Sequence, residues 1–193
     1  MNEFAGILLA GGRGSRMGGV HKPLLEVGGR TLLDAAVTAA HAAGCDPIIA
    51  VGAPVVSTQA PIAPVTWVRE DPPFGGPVAA ILAALPLISA PHTLILACDL
   101  PRVGAAVALL RAAQFDADGA CLIDESGRRQ LLAGVYRTDA LRAAGATLHG
   151  HGHGASVRAL LEGLQVTEVS ASDDITADID TWDDLHEARR RNP

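Results

Sequence analysis

The chain is poor in aromatic residues, cysteines and long hydrophobic runs. Aromatic side chains make up only 3% of its 193 residues, so a core has to be built from Leu, Val, Ile and Ala, as in layered α/β proteins. Its three cysteines, Cys45, Cys98 and Cys121, are odd in number and widely spaced, without a Cys-x-x-Cys pair. This spacing argues against a disulfide framework and a structural zinc site, and it predicts a reducing cytoplasm.

Signals for export and for membrane insertion are also missing. Glu3 precedes an apolar run of roughly seven residues, which is too short for the hydrophobic region of a secretory signal. No stretch reaches the roughly 20 apolar residues that span a bilayer. The net charge of −6 disfavours a nucleic-acid partner. We therefore expect a cytoplasmic protein that binds neither a membrane nor nucleic acid.

The residues that are present suit one domain spanning 1–193. Hydrophobic residues make up 49% of the chain and charged residues 19%, which is enough for a sizeable core. Strand-like apolar runs at 5–10, 47–51, 65–69 and 93–97 alternate with helix-like segments at 31–43, 76–85 and 103–113. This alternation predicts βαβ units and therefore an α/β protein.

The second half of the chain predicts an antiparallel strand within the sheet. Runs at 119–123 and 130–136 flank Asp124-Glu125-Ser126-Gly127, which is typical of a hairpin turn. Helices near 138–144 and 156–164, a strand at 166–169 and a last helix from Thr181 complete the pattern. Capping boxes are expected at Thr31 with Asp34 and at Thr181 with Asp184. The predicted sheet is therefore mostly parallel with one antiparallel strand.

The most informative segment is glycine-rich and basic, and it follows the first strand-like run. It reads Leu9-Ala10-Gly11-Gly12-Arg13-Gly14-Ser15-Arg16-Met17-Gly18-Gly19, with Lys22 shortly after it. Glycines bring main-chain N–H groups close to an anion, while Arg13, Arg16 and Lys22 supply positive charge. No Asp or Glu lies between Ala5 and Leu25. The segment predicts a nucleotide ligand, and its alternative is a surface turn that binds nothing.

Two known phosphate-binding patterns do not match this segment. A P-loop needs Gly-Lys followed by Ser or Thr, but Lys22 is followed by Pro23. The dinucleotide fingerprint needs Gly-x-Gly-x-x-Gly, but Gly18 comes one position too late after Gly12 and Gly14. Neither kind of site is therefore expected.

Acidic residues follow the predicted strands, at the sheet edge where ligands of open α/β sheets collect. Asp99 follows the strand-like run at 93–98, and it is either a Mg²⁺ ligand or an N-cap for the helix after Pro101. Asp71 follows the run at 65–69, and it is either a ligand contact or part of a plain turn. Asp178 and Asp180 alternate, so an extended segment points both to one side, as further metal ligands or as solvated surface.

Taken in order, these motifs resemble the MobA-like guanylyltransferases, which make the molybdenum cofactor dinucleotide and belong to the wider NTP-transferase family. Residues 9–18 with Lys22 resemble the triphosphate loop, and Asp71 with 75–81 resembles the middle motif. Ala97-Cys98-Asp99-Leu100-Pro101 resembles the metal-aspartate motif. Residues 130–136 and 178–185 resemble the substrate-side strand and the closing motif. The resemblance runs nearly end to end and implies a three-layer, Rossmann-like nucleotidyltransferase fold.

The resemblance also implies an activity, in which the terminal phosphate of molybdopterin attacks the α-phosphorus of GTP and pyrophosphate leaves. Nucleotide-binding residues are then Leu9, Ala10, Gly11, Gly12, Arg13, Gly14, Lys22, Asp71 and Asp99. Lys22, Arg16 and Asp99 are expected to be catalytic. Mg²⁺ is the expected cofactor, with Asp99, Asp178 and Asp180 as its candidate ligands. The nucleophile is already an anion, so no Ser-His pair is required.

Departures from the family pattern leave the base and the acceptor open. His21 stands where the family usually has an acid, and Val51-Gly52-Ala53-Pro54 offers no Asn after the second strand. Asp178 and Asp180 stand where guanylyltransferases often carry Asn. Cytidylyl transfer, a different phosphorylated acceptor and a catalytically silent nucleotide-binding module are therefore alternatives. His149-Gly150-His151-Gly152-His153 is interpreted as a substrate-side loop without a metal.

Overall fold

The computed structural model describes residues 2–12, 17–55, 62–114 and 116–192. The strands are β1 (Phe4–Leu9), β2 (Glu26–Val27), β3 (Arg30–Thr31), β4 (Cys45–Val51), β5 (Thr66–Val68), β6 (His92–Ala97), β7 (Gly119–Ile123), β8 (Arg129–Arg137) and β9 (Val166–Ser170). The α-helices are α1 (Leu32–Ala42), α2 (Pro77–Ala84), α3 (Val103–Ala112), α4 (Thr138–Ala146), α5 (Val157–Leu161), α6 (Asp173–Thr176) and α7 (Trp182–Arg191). Short 3₁₀ turns occur at Lys22–Leu24, Leu85–Leu87 and His149–Gly152.

A seven-stranded sheet with the order β5-β4-β1-β6-β8-β7-β9 forms the centre of the fold. Strands β5, β4, β1 and β6 run parallel to one another, while β8 runs antiparallel to both β6 and β7. Strand β9 is parallel to β7. The predicted fold class is confirmed. Because β8 is reversed, its first residues lie at the same sheet edge as the last residues of the parallel strands.

Helices cover both faces of the sheet and form the outer layers. Successive side chains of a strand point to opposite faces, so Leu8 of β1 packs with α1 and α3. Its neighbour Ile7 packs with α2, α4 and α5 on the other face. Both side chains are fully buried, and burial of an aliphatic side chain of this size contributes roughly 1.5–3 kcal/mol. The two cores fix the strands, and so they fix the loops at the strand ends.

A smaller cluster holds the C-terminal helix α7 beside the segment that follows β1. It consists of Met17, Leu25, Leu32, Ile179, Leu185 and Ala188. The Arg189 Nε–H also donates to the main-chain oxygen of Glu26 at 2.9 Å. This packing brings the residues before α7 next to the residues around Lys22.

Local details agree with most of the predicted boundaries. The Thr31 hydroxyl oxygen accepts the Asp34 N–H at 3.0 Å, so the first predicted cap is present. The predicted hairpin turn is also present, and an Asp124 carboxylate oxygen accepts the N–H groups of Ser126 and Arg128 at 3.0 and 2.9 Å. Helix α5 ends at Leu161 rather than at 164, in keeping with the low helix propensity of Gly163. In the described ranges, no helix is long and apolar enough to cross a membrane.

Candidate active site

A cavity of about 430 Å³ opens at the edge of the sheet where the parallel strands end. Its walls come from the loops after β1, β5 and β6, from the start of α2 and from the first half of β8. The described lining residues are Leu9, Gly11, Gly12, Val51, Glu70, Phe74, Gly76, Pro77, Ala80, Ala97, Asp99 and Leu132. This position matches the general rule that ligands of open α/β sheets bind outside the carboxyl ends of the strands.

The loop after β1 contributes main chain rather than side chains to the cavity. The Ala10 N–H donates to the Val51 oxygen at 3.0 Å, which fixes the loop against β4. Gly52 lies directly behind it, because a Cβ added at Gly52 would sit 2.9 Å from the Gly11 nitrogen. Gly12 has a positive φ of 144°, which disfavours other residues. The geometry of this loop therefore allows its main chain to lie close to a ligand in the cavity, as the sequence predicts.

Helix α2 points its N-terminus at the same cavity. Gly76 is its N-cap with φ 94°, and Pro77 occupies the first helical position, as the sequence predicts. Both residues line the cavity. The unpaired N–H groups and the positive end of the helix dipole favour a negatively charged ligand there.

Asp99 supplies a partly buried carboxylate just after the end of β6. Burial, followed by the charge of Asp178, raises the pKa of Asp99 to about 6, while the Lys22 ammonium acts in the opposite direction. The main-chain oxygen of Asp99 accepts the Ile179 N–H at 3.0 Å, which joins the segment before α7 to the cavity. The N-cap of α3 is Arg102, so the alternative interpretation of Asp99 as this cap is wrong.

Lys22 and Asp180 form an ion pair beside Asp99. Lys22 lies in the 3₁₀ turn Lys22–Leu24, whose Pro23 is buried. The Asp180 N–H donates to a carboxylate oxygen of Asp184 at 3.0 Å, and the same oxygen accepts the Thr181 N–H at 2.7 Å. The second predicted capping box is thus present, and it also holds Asp180 in place.

The chain matches the model of a known protein family. Residues 6–169 match the model of the MobA-like NTP transferase domain. The chain belongs to this family. A probable molybdenum cofactor guanylyltransferase from Synechococcus elongatus is 42% identical over 113 residues, which cover 57% of this chain and 56% of that protein. The chain therefore spans little more than half the length of this curated relative.

Two further relatives extend over nearly the whole MobA-like chain. A molybdenum cofactor guanylyltransferase from Cupriavidus taiwanensis is 29% identical over 201 residues, covering 97% of this chain and 98% of the relative. A nucleotidyl transferase from Methanothermobacter thermautotroptrophicus has a TM-score of 0.76 at 23% identity, covering 100% of this chain and 98% of that structure. The structural likeness establishes the nucleotidyltransferase fold.

A divalent cation would fit part of this site. Asp99 lines the cavity, and the charges of Asp178 and Asp180 both raise its pKa, so these three carboxylates lie close enough to interact. In the described part of the chain, no three acidic, His or Cys side chains are grouped so that they alone could hold a metal ion. The arrangement suits Mg²⁺, because Mg²⁺ takes one or two carboxylates and completes its shell with phosphate oxygens and water.

Not every predicted site residue of this MobA-like domain reaches the cavity. Asp71 is exposed and is not among the described lining residues, whereas its neighbour Glu70 lines the cavity. A Glu70 carboxylate oxygen accepts the Phe74 N–H at 3.0 Å. Glu70 comes directly after a predicted strand, and this position could have identified it as a candidate site residue from the sequence. Three further predicted residues, Arg13, Gly14 and Arg16, lie outside the described ranges.

The histidine-rich segment packs against the loop before α2. It forms the 3₁₀ turn His149–Gly152, and the Gly154 N–H donates to the Gly75 oxygen at 2.8 Å. The His153 imidazole also lies next to Gly75, where an added Cβ would be 3.0 Å from its Nδ1. This segment therefore supports one wall of the cavity from outside.

Proposed function

We propose that this chain transfers GMP from GTP to the terminal phosphate of molybdopterin and releases pyrophosphate. The observation that carries the proposal is the cavity lined by Leu9, Gly11, Gly12 and Asp99, with the Lys22–Asp180 ion pair beside Asp99, in a chain of the MobA-like family. The curated relatives named molybdenum cofactor guanylyltransferase support GTP and molybdopterin as substrates. We extend the proposal to one nucleotidyltransferase domain over 1–193 that works in the cytoplasm without nucleic-acid or membrane partners.

GTP is placed with its phosphates between Lys22 and Asp99. Leu9, Gly11 and Gly12 line that space, and the positive end of α2 faces it. Ala10 is assigned to the nucleotide on the strength of the sequence motif. We assign Lys22 to the phosphates because its ammonium group is partly exposed and already binds the Asp180 carboxylate, so a polyanionic phosphate chain can bind it in the same way. Arg13, Gly14 and Arg16 complete the proposed phosphate loop on the strength of the sequence motif. The role that the motif gives to Asp71 stays a prediction.

The reaction needs positioning and charge neutralisation more than proton transfer. An oxygen of the acceptor phosphate forms a bond to the α-phosphorus of GTP, and the bond from that phosphorus to the bridging oxygen of pyrophosphate breaks. Lys22 and Arg16 neutralise charge on the transferred group. Asp99, with Asp178 or Asp180, would hold Mg²⁺, which screens the phosphate charges when it is bound. The acceptor is an anion, so no general base is assigned.

Product formation by the purified chain tests the proposal. We expect pyrophosphate release and a molybdopterin dinucleotide, detected by mass spectrometry, only when GTP, molybdopterin and Mg²⁺ are all supplied. The Asp99→Ala variant, with its fold checked by circular dichroism, is expected to release no pyrophosphate. Transfer from CTP instead of GTP, or to another phosphorylated acceptor, would identify a different nucleotidyltransferase. The absence of transfer with every donor and acceptor would leave a nucleotide-binding module.

A further inference from the structure

We propose that Tyr136 is a positioning residue for the acceptor substrate, because its buried hydroxyl fixes a bulge in β8 that holds Leu132 at the wall of the cavity. Among the described lining residues of the cavity, Leu132 is the contribution of β8. This inference rests on the proposed function, because it concerns the side of the cavity from which the acceptor phosphate reaches GTP.

The bulge lies in the first half of β8. Two neighbouring residues of β7 pair with Gln130 and Gly134 of β8, so residues 131–133 bulge out of the ladder between the two strands. Side chains of a regular strand alternate between the faces of a sheet. Leu131 and Leu132 nevertheless both pack on the face that carries α2, α4 and α5. The bulge therefore turns two adjacent side chains to the same face, as bulges near active sites often do.

The hydroxyl of Tyr136 closes this bulge. The Tyr136 side chain is fully buried, and its O–H donates to the main-chain oxygen of Leu131 at 2.8 Å. Burial raises the pKa of Tyr136 well above its usual value, so the phenol keeps the proton that it donates. A buried phenol needs such a partner. The hydrogen bond therefore favours the one conformation of the bulge that supplies it.

Two glycines make room for the Tyr136 ring beside the bulge. A Cβ added at Gly134 would lie 2.6 Å from the Tyr136 oxygen, and one added at Gly119 would lie 2.5 Å from its Cδ1. Gly119 is the residue of β7 that pairs with Tyr136, so the ring covers the main chain of both strands. A side chain at either glycine would displace the ring, and the hydroxyl would then no longer reach Leu131.

Leu132 lines the cavity on the side away from the loop after β1. Ala133 pairs with Leu96 of β6, and the next residues along the two strands, Leu132 and Ala97, both line the cavity. Asp99 comes two positions after Ala97. Strand β8 neighbours β6 on the side opposite to β1, β4 and β5. GTP held by the loop after β1 therefore leaves the β8 side for an acceptor that attacks in line with the departing pyrophosphate.

Steady-state kinetics of Tyr136→Phe test the inference, because phenylalanine keeps the ring and removes the hydroxyl. We expect the KM for molybdopterin to rise about tenfold, while the Kd for GTP, measured by isothermal titration calorimetry, changes by less than about threefold. Leu132→Ala should raise the KM for molybdopterin by a similar factor. The two effects should not add in the double variant, because Tyr136 acts through Leu132.

Thr138→Val is the matched control for the loss of a buried hydroxyl. Thr138 directly follows β8, is also buried, and donates its hydroxyl to the Ala90 main-chain oxygen at 2.7 Å. This bond lies at the opposite end of β8 from the bulge. We expect Thr138→Val to lower the melting temperature about as much as Tyr136→Phe does and to keep the KM for molybdopterin within about twofold of the wild type.

Hydrogen exchange, followed by mass spectrometry, adds a measurement that needs no substrate. In peptides that cover residues 129–134, exchange should be faster in Tyr136→Phe than in the wild type, because the bulge has lost the bond that holds it. The same peptides should exchange at the wild-type rate in Thr138→Val.

The outcomes distinguish this inference from the proposed function. If Tyr136→Phe keeps the wild-type KM for molybdopterin, weakens GTP binding instead, or exchanges like the wild type at residues 129–134, the inference is wrong and the guanylyltransferase proposal stands. A wild type that uses a different acceptor contradicts the proposed function, and Tyr136→Phe should then raise the KM for that acceptor. A wild type that transfers nothing overturns both.

Discussion

The side chains of Lys22 and Asp180 form an ion pair although 158 positions separate them in the chain. The pair joins the segment after β1 to the segment before α7, and it lies beside the Asp99 carboxylate. The side chain of Lys22 is 20% exposed and that of Asp180 is 36% exposed, so solvent and ligands can reach both. In the free protein, Asp180 therefore holds the ammonium group where the proposed reaction needs positive charge.

Lys22→Ala is expected to lower kcat for pyrophosphate release by a factor on the order of 10²–10³, because one charged group that stabilises the transferred phosphate is lost. Steady-state assays with GTP and molybdopterin measure the effect. Arg190→Ala, which removes an exposed cation that pairs with Glu187 on α7, is the control and should change kcat by less than about twofold. A loss of less than about tenfold for Lys22→Ala would make Lys22 peripheral to the reaction.

Asp99→Asn is expected to stabilise the protein while abolishing transfer. Burial raises the pKa of Asp99 to about 6 from 3.8, so protonation of Asp99 favours the folded state. That contribution is complete below the unfolded pKa and is lost as the pH rises through about 6. At pH 7.5 the free energy of unfolding of the variant should therefore exceed that of the wild type by about 1–3 kcal/mol.

Urea denaturation at two pH values checks this expectation. The gain from Asp99→Asn should shrink at pH 5, where most folded wild-type molecules carry a protonated Asp99. A variant that is no more stable than the wild type at pH 7.5 would show that the ionised carboxylate is not disfavoured by its surroundings.

Gly52→Ala is expected to damage both stability and nucleotide binding. The added Cβ would lie 2.9 Å from the Gly11 nitrogen and 3.0 Å from the Ala10 carbonyl carbon, at a φ of 148°. All of these neighbours are main chain, so the loop after β1 has to shift. We expect a loss of about 1–3 kcal/mol in the free energy of unfolding. GTP affinity should fall about tenfold or more.

Gly104→Ala provides the matched control for Gly52→Ala. Gly104 lies in α3, and a Cβ there meets nothing within 4 Å outside its own helix. Replacement of a helical glycine by alanine should raise stability by roughly 0.5–1 kcal/mol. Calorimetric melting and GTP titration of both variants make the comparison, and an unshifted GTP affinity in Gly52→Ala would refute the assigned role of this contact.

Asp184→Ala is expected to lower the free energy of unfolding by about 1 kcal/mol at pH 7, because it removes the capping box of α7. The hydrogen bond from the Thr181 hydroxyl lowers the pKa of Asp184. Its contribution is therefore present above the unfolded pKa and is lost as the pH falls through the lower folded value. The difference in the free energy of unfolding between the variant and the wild type, measured by urea denaturation, should become smaller below pH 3. Asp183→Ala, in the same first turn, is the control and should cost only a few tenths of a kcal/mol.

Much of the fold could be predicted because its elements carry periodic apolar patterns. The alternation that places Ile7 and Leu8 on opposite faces is visible in the sequence, as are Pro77 at the start of α2, the Thr31 cap of α1 and the capping box of α7. The β2–β3 hairpin was not predicted, although Gly28-Gly29 between its two short strands is a known turn signal. Strands of two residues are too short for periodicity to indicate them.

The site was harder to predict because its contacts join distant segments. Sequence motifs identified Leu9, Gly11, Gly12 and Asp99, which the structure places along one cavity. The choice between Glu70 and its neighbour Asp71 depends on which side chain turns inward after β5, and a motif match does not record that direction. Likewise, the contact between Lys22 and Asp180 depends on how the cluster around Met17 packs.

Because β8 runs in the opposite direction to β6 and β7, its first residues lie at the sheet edge where the cavity opens. The turn at Asp124–Gly127 joins β7 to β8 at the sheet edge where the parallel strands end, and Leu132, a few residues further along β8, lines the cavity. Changes in the length of this turn would alter the β8 side of the sheet edge and leave the loop after β1 untouched. In the proposed transferase, the acceptor side could therefore vary independently of the side that is proposed to hold the nucleotide.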